Sequence, residues 1–343
     1  MDPVAALREI GFWLERSRSD TYRVQAYRKA ADTVEALSAA ERTEREADNR
    51  WADLPGLGPK TITVISQAAA GGVPDYLQGR RTAGAEPLAT GGEKILAVLR
   101  GDLHTHTTWS DGGSPLPEMV QTARRLGREY LAITDHSPRL KVAHGLSAER
   151  LREQIGLIDD LNAELAGEFT VLRGIEVDIL DDGRLDQESA LLDQLDIVVA
   201  SVHSKLRIDS ESMTHRMVAA IANPRTNILG HCTGRLVEGS RGTRPESTFD
   251  AEVVFAACLQ FDVAVEINSR PERRDPPSRL LALAQEMGCK FSIDTDAHAP
   301  GQLDFSQYGA QRAAAAGIEP EMIIDTWPVE QLVEWAAAKK RRR

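Results

Sequence analysis

The chain has 343 residues, 42% of them hydrophobic, which suffices for a packed core and for two domains, or one barrel-sized domain with a small appendage, and excludes a disordered protein. A net charge of −11 argues against a generally basic nucleic-acid binder, although a chain whose carboxylates await divalent cations is acidic for the same reason. Three cysteines at wide spacing, with no C-x-x-C pair, no signal-peptide pattern and no run of roughly 18 apolar residues, point to a reduced, cytoplasmic protein that does not span a membrane.

Val4, Leu7, Ile10 and Leu14 recur at helical spacing, and Asp20-Thr21 offers a cap for a second helix through AYRKAADTVEAL. A charged segment, ERTEREADNRWADL, precedes LPGLGPKTITVI, where a Pro-Gly-Leu-Gly turn joins two helical patterns in a helix-hairpin-helix arrangement. Its glycines let backbone amides approach a phosphate closely, and the start of the next helix adds a favourable dipole.

Over about residues 1 to 80 these motifs resemble the small N-terminal domain of family X DNA polymerases, the DNA polymerase beta group, which grips the phosphate at a gap or nick. Gly56, Gly58 and Lys60 match the hairpin and Tyr27, Arg28 and Lys29 the preceding helix, and the resemblance implies that Gly56, Gly58, Lys60, Arg28 and Lys29 contact DNA. Where lyase members of that group carry their Schiff-base lysine, this chain has Val64, which cannot form an imine. Charges across residues 1 to 80 are nearly balanced, so affinity for DNA is expected to be modest and salt-sensitive.

Gly79 to Gly92, rich in Gly, Ala and Thr, reads as a connector, and a linker is expected over residues 81 to 95. A family X polymerase would encode its nucleotidyl-transfer palm about here. The chain passes directly to a histidine-rich half, so no polymerase activity is expected.

From residue 96 to 343, short apolar runs alternate with helical patterns, which argues for βα units and a parallel sheet. The runs are GDLHTH, YLAITDH, TVLRGIEVDIL, LDIVVASVHS, NILGHC, VAVEINS and KFSIDTDAH, and most finish on a metal-competent residue. His104 and His106 alternate, so a strand would aim both imidazoles at one ion, with Asp111 close behind. In a β/α barrel the C-terminal strand ends converge, gathering His104, His106, Asp111, His136, Glu176, His203, His231, Asp296 and His298 on one face. Buried together, such groups need partners, and metal ions supply them. His144 and His215 lack strand-end context and fall outside the site, and the C-terminal KKRRR reads as a frayed tail.

Together H-x-H-T-x-x-S-D-G, T-D-H, G-I-E-V-D, S-V-H-S, G-H, E-I-N and D-x-D-A-H resemble a PHP domain, the polymerase and histidinol phosphatase family, of the type fused to bacterial family X polymerases. The resemblance implies an α/β fold, a distorted seven-stranded β/α (TIM-like) barrel, holding three divalent ions (manganese or zinc, or iron). Carried over, His104, His106, Glu176 and Asp296 surround the first ion; Glu176, His203 and His231 the second; Asp111, His136 and His298 the third. Arg273 is the natural phosphate clamp, with Lys205 beside it and Arg235 a further substrate contact; the Trp109 indole fits equally a stack on a base or simple packing.

Such a donor set supports phosphate-ester hydrolysis by metal-activated water. The expected activity is DNA 3′-end processing, as a 3′-5′ exonuclease or 3′-phosphatase in repair, acting on gapped, nicked or recessed ends and in company with other repair proteins. The alternatives are a small-molecule phosphatase of the histidinol phosphate type, and a non-enzymatic repair adaptor.

Overall fold

The computed structural model describes residues 1–239 and 242–341. They form two compact units, Met1–Pro87 and Leu88–Arg343.

The first unit is helical: α1 (Pro3–Arg16), α2 (Thr21–Glu35), α3 (Ala39–Asp48), α4 (Pro59–Ala69) and α5 (Asp75–Ala83). The starts are set by side-chain caps: Asp2 accepts from the Ala5 amide at 2.7 Å, Asp20 from Tyr22 at 2.8 Å, and Ser38 and Glu41 cap each other's backbone. Leu7, Ile10 and Leu14 of α1 pack with Val24, Tyr27 and Val34 of α2, Ile65 of α4, Leu77 of α5 and the fully buried Trp51. Val64 is buried in the same core, so the position that excludes imine chemistry serves packing. The connector expected at residues 81 to 95 starts too early, because α5 runs through Ala83. Burial of Leu77 and a two-pronged Arg81–Glu9 ion pair at 2.6 and 2.7 Å hold a Gly-containing segment helical against its composition.

The second unit carries a parallel sheet of six strands in sequential order: β1 (Tyr130–Ile133), β2 (Thr170–Asp178), β3 (Ile197–Ser201), β4 (Ile228–Leu229), β5 (Ala264–Asn268) and β6 (Phe291–Asp294). The expectation of seven strands is corrected at the first run. Residues 102 to 106 make isolated parallel bridges through Thr105 to Ile133 and to Ala297, without becoming a strand. The reason lies in the donors. The Leu103 amide binds Asp294 Oδ1 at 2.9 Å, the His104 amide Asp102 Oδ1 at 3.2 Å and the Thr105 amide Thr134 Oγ1 at 2.9 Å, so side chains take hydrogen bonds that a ladder would use.

Strand alternation sorts the side chains into layers. Ile175, Val177, Val198, Ala200, Val265, Ile267 and Ile293 face the surrounding helices in the main core. On the opposite face, Leu172, Ile197, Val199, Ile228 and Ala264 pack with Leu332, Trp335 and Ala336 of the helix Val329–Arg341. Further along each strand that same face turns polar, through Glu176 and Asp178 on β2, Ser201 on β3, Glu266 and Asn268 on β5, and Asp294 on β6, all buried. The polar layer therefore lies at the C-terminal strand ends. Gly230 permits this crowding, since a Cβ there would stand 2.3 Å from Ser201 Oγ.

The C-terminal tail is not frayed where it is described. Lys339 is buried and donates to the Thr226 carbonyl, and Lys340 donates to the Leu195 carbonyl at 2.5 Å. Arg342 and Arg343 lie outside the described residues. Among the described residues no helix is long and apolar enough to cross a membrane.

Asp325, fully buried, accepts from the Ile293 amide at 2.9 Å, and burial, reinforced by Asp102, pushes its carboxyl up to about 8. An acid raised above its unfolded value near 3.9 favours folding when protonated, a contribution complete at low pH and lost as pH rises towards the folded value. The thermal midpoint is expected to fall between pH 5.5 and 8.5, and Asp325→Asn to flatten that fall. Calorimetry at the two pH values checks this; an equal fall in the variant refutes the assignment.

Candidate metal centre

Glu176 stands at the middle of the polar layer, 1% exposed. Its Oε1 lies 2.8 Å from His231 Nε2 and 3.1 Å from His203 Nε2, and its Oε2 lies 2.8 Å from His136 Nδ1, 3.3 Å from His104 Nε2 and 3.6 Å from His106 Nε2. Asp296 Oδ1 is 3.4 Å from His106 Nε2, and Asp111 Oδ1 is 3.3 Å from His298 Nε2 and 3.5 Å from His136 Nε2. Strand ends, together with the segment 102–106 and the loop that follows it, thus bring all the candidate ligands together. Among the described residues, three groups have donor atoms mutually within 4.8 Å: His106, Asp111, His136 and His298; His104, His106 and Asp296; His136, Glu176 and His203. The grouping differs from the expected one in that His106 and His136 each serve two groups, while His231 touches Glu176 without joining a group.

Both ring nitrogens of His106 and of His203, and Nε2 of His104, are buried with no hydrogen-bond partner. Buried polar atoms left in this way are costly, and imidazole and carboxylate donors suit zinc, manganese or iron, so the residues fit divalent ions. The electrostatics agree. Burial would raise Glu176, but His203, His104 and His136 hold it well below the usual carboxylate range. Burial likewise opposes Asp296, which Arg273 and His106 keep ionised. His106 is pushed down to about 3 by burial, with His298 and His136 adding to it, which leaves a neutral imidazole with lone pairs available. For His104 burial works downward but Glu176 and Glu266 outweigh it, so a proton there offsets the carboxylates as a cation would.

Several groups that hold these donors escaped sequence reading. Glu266 Oε1 meets His104 Nδ1 at 2.5 Å, Asp178 takes the His203 amide at 3.1 Å, and Asp135 accepts from the Thr107 amide at 2.9 Å, Thr107 Oγ1 at 2.7 Å and Gln154 Nε2 at 2.6 Å, fixing the loop that carries Asp111. Each sits inside a recognised motif, E-I-N, G-I-E-V-D or T-D-H, and Asp135 and Asp178 lie next to or two residues from the named His136 and Glu176; that placement was the available signal.

A cavity of about 410 Å³ opens over the centre. Arg273 lines it, held by Nε to Asp296 Oδ2 at 3.0 Å, with Nη1 buried and unpartnered. Arg244 and Arg270, which the sequence did not single out, line it too. Lys205 and Arg235 are corrected as substrate groups, since neither lines this cavity, and for Trp109 the packing alternative is the one seen. Lys205 points into an exposed ion pair with Asp181 at 2.6 Å. Arg235 spends its guanidinium on the Arg273 carbonyl at 3.0 Å and on the Arg274 carbonyl, bracing the loop that carries Arg273. Trp109 packs against the core under Arg150, whose guanidinium is 5.7 Å from the ring centre.

In the helical unit, Gly56 adopts φ +80° and Gly58 caps α4, both with open space where a Cβ would stand, and Lys60 and Lys29 are exposed. The Gly58 amide donates to Thr61 Oγ1 at 3.0 Å, so that donor is taken. Arg28 is also corrected as a DNA contact: its Nε and Nη2 bind the buried Glu15 at 2.8 and 2.5 Å. Tyr27 is buried, stacked on Tyr76 with ring centres 5.6 Å apart.

Residues 1–73 match the family described as helix-hairpin-helix domain, and residues 102–270 match that described as PHP domain. The chain joins a helix-hairpin-helix domain to a PHP domain. It is similar to the DNA polymerase/3′-5′ exonuclease PolX of Bacillus subtilis (strain 168), 39% identical over 230 residues, which is 67% of this chain and 40% of that relative. The chain thus spans well under half of that protein. It is also similar to a probable phosphatase of Thermoanaerobacter sp. (strain X514), 29% identical over 252 residues, covering 70% of this chain and 96% of the relative. Among solved structures, the putative histidinol phosphatase of Listeria monocytogenes superposes with a TM-score of 0.45 at 17% identity, covering 60% of this chain and 97% of that one.

Arg28→Ala leaves the Glu15 carboxylate buried without its guanidinium and is expected to destabilise the helical unit by about 1–3 kcal/mol. Glu15→Gln in the same background should recover part of the loss. Denaturant unfolding checks both; an Arg28→Ala protein of unchanged stability would return Arg28 to the set of exposed DNA contacts.

Proposed function

We propose that this chain is a metal-dependent phosphoesterase that processes DNA 3′ ends, as a 3′-5′ exonuclease or 3′-phosphatase in DNA repair, on gapped, nicked or recessed ends. The observation that carries the hydrolase reading is Glu176 ringed by imidazoles, among which both ring nitrogens of His106 and of His203 and Nε2 of His104 lack hydrogen-bond partners, beside the unpartnered Nη1 of Arg273. The DNA reading is supported by the helix-hairpin-helix domain at residues 1–73 and by the exonuclease named in the Bacillus subtilis relative. Polymerase chemistry is not assigned, because the two units follow one another at Pro87 and Leu88 with no palm between.

His104, His106, Asp111, His136, Glu176, His203, His231, Asp296 and His298 would hold three divalent ions, manganese or zinc being the expected choices, with iron a further option. Such ions, when bound, neutralise phosphoryl oxygens and activate the attacking water. The chain's own groups do the rest. Glu266 and Asp178 orient His104 and His203. Arg273, fixed by Asp296, directs Nη1 at a phosphoryl oxygen, where charge grows in the transition state. The oxygen of one water bonds to phosphorus, the P–O3′ bond breaks, and the electron pair and a proton pass to O3′, releasing a mononucleotide and a new 3′-hydroxyl. In the phosphatase form of the reaction the same displacement releases inorganic phosphate.

The second reading, a phosphatase of small metabolites, is favoured by the probable phosphatase that the chain matches over 96% of its length. A labelled recessed-end duplex with added manganese, run beside histidinol phosphate, separates the two. We expect 3′-nucleotide release that is lost by at least about a hundredfold in His203→Ala and abolished by a chelator. Phosphate release from histidinol phosphate alone would make the chain a metabolic phosphatase. A chain begun at Leu88 should lose activity on DNA at physiological salt while keeping any activity on small phosphate esters. Equal DNA turnover after that truncation removes the gripping role.

A further inference from the structure

Beside the metal-competent donors, the cavity over the metal centre is lined by two unlike sets of side chains. One is basic, formed by Arg244, Arg270 and Arg273. The other is apolar, formed by Leu140, Val142, Ala143 and Val202, none of which takes part in the chemistry described above. Val142 is 89% exposed, at the tip of the turn Lys141–Ala143. Such exposure in a fraying loop would mean little, but this turn is pinned. The Leu146 amide bonds to the His136 carbonyl at 2.7 Å, the Ala143 amide to the Leu140 carbonyl at 3.0 Å, and Arg150 Nη1 to the His144 carbonyl at 2.7 Å. Gly145 is pressed so closely on the preceding strand end that a Cβ would stand 1.9 Å from the Ser137 carbonyl oxygen. The turn thus holds a branched apolar side chain in water at the mouth of a charged pocket, directly after the ligand-bearing His136 segment.

We propose that this turn reads the terminal nucleoside: the sugar and base of the last nucleotide pack on Val142 and Leu140 while its phosphate meets Arg273 in the same cavity. This rests on the DNA-end reading and specifies what that end must carry. A cavity of about 410 Å³ takes one nucleotide unit and not a continuous duplex, so the apolar set acts on a strand end. An anion with an apolar body satisfies both sets at once. Inorganic phosphate or a small polar phosphate ester uses only the basic one. Val142 is therefore a specificity residue, acting on substrate binding and not on the chemical step.

The test uses the full chain with manganese and two recessed duplexes identical except at the 3′ terminus, one ending in a normal nucleotide and the other in an abasic tetrahydrofuran unit. Wild type should show a KM roughly 3- to 10-fold lower for the base-bearing end. Val142→Ser should raise that KM to the abasic level with kcat unchanged and leave the abasic end unmoved, and Val142→Leu should restore the preference. Because the side chain is exposed, neither variant is expected to disturb folding. Equal KM for the two ends in wild type, or a Val142→Ser effect that is equal on both ends or absent, overturns the proposal while leaving the exonuclease reading intact. A wild type that cleaves neither duplex but hydrolyses histidinol phosphate overturns the functional reading, and this one with it.

Discussion

The rest of the PHP unit is arranged around a buried carboxylate that imidazoles crowd from several sides. Glu176 is fully enclosed, and an ionised carboxylate in such a place is tolerated only when positive charge and hydrogen-bond donors surround it. His104, His136 and His203 supply that charge when protonated, and divalent ions would supply it more completely. The parallel sheet makes the arrangement possible, because strands that all run one way deliver their last inward residues to the same end. Apolar packing at the other end, capped by Leu332, Trp335 and Ala336, gives those strands a rigid base.

The carboxylates behind the ligands do much of the positioning. Glu266 and Asp178 each hold a histidine, and Asp135 gathers Thr107, Ser110 and Gln154 to anchor the loop bearing Asp111. A chain with a net charge of −11 buries part of that charge at the ends of the sheet strands, beside imidazoles and guanidinium groups, where it does not serve solubility. The arginines answer it from the opposite side: Arg273 neutralises Asp296, Arg270 bonds to the Asp296 carbonyl at 3.1 Å, and Arg235 braces the loop between them. Acid and base thus meet in one cavity, lined by metal-competent donors and by guanidinium groups together.

Some expectations met the structure and others did not, and the division has a physical pattern. The strand cores from β1 to β6 were legible because parallel strands buried on both faces read as short apolar runs ending in polar residues. The first run failed as a strand although its motif, DLHTH, is the most distinctive in the chain, because Asp294, Asp102 and Thr134 side chains take its amides. The cationic side chains were the least legible. Arg28, Lys205 and Arg235 carry charge in the places where a phosphate contact was expected, but each finds a carboxylate or carbonyl partner that one-dimensional spacing does not reveal.

Sequence by itself determined the class of chemistry and the order of the units. The identity of a ligand depends on residue type, and the order of H-x-H, T-D-H, G-I-E-V-D and D-x-D-A-H along alternating βα patterns leaves few folds that bring them together. Tertiary structure alone decided which donors are shared between groups, that Glu266, Asp178 and Asp135 are the hands behind the metal-competent donors, and that one pocket is lined by Val142 together with Arg244, Arg270 and Arg273. Those are statements about distance and desolvation. Both arise only when segments distant in the chain, from 25 residues apart for Asp178 and His203 to 162 for His104 and Glu266, are packed together and water is excluded, and neither is written in the local pattern of any one segment.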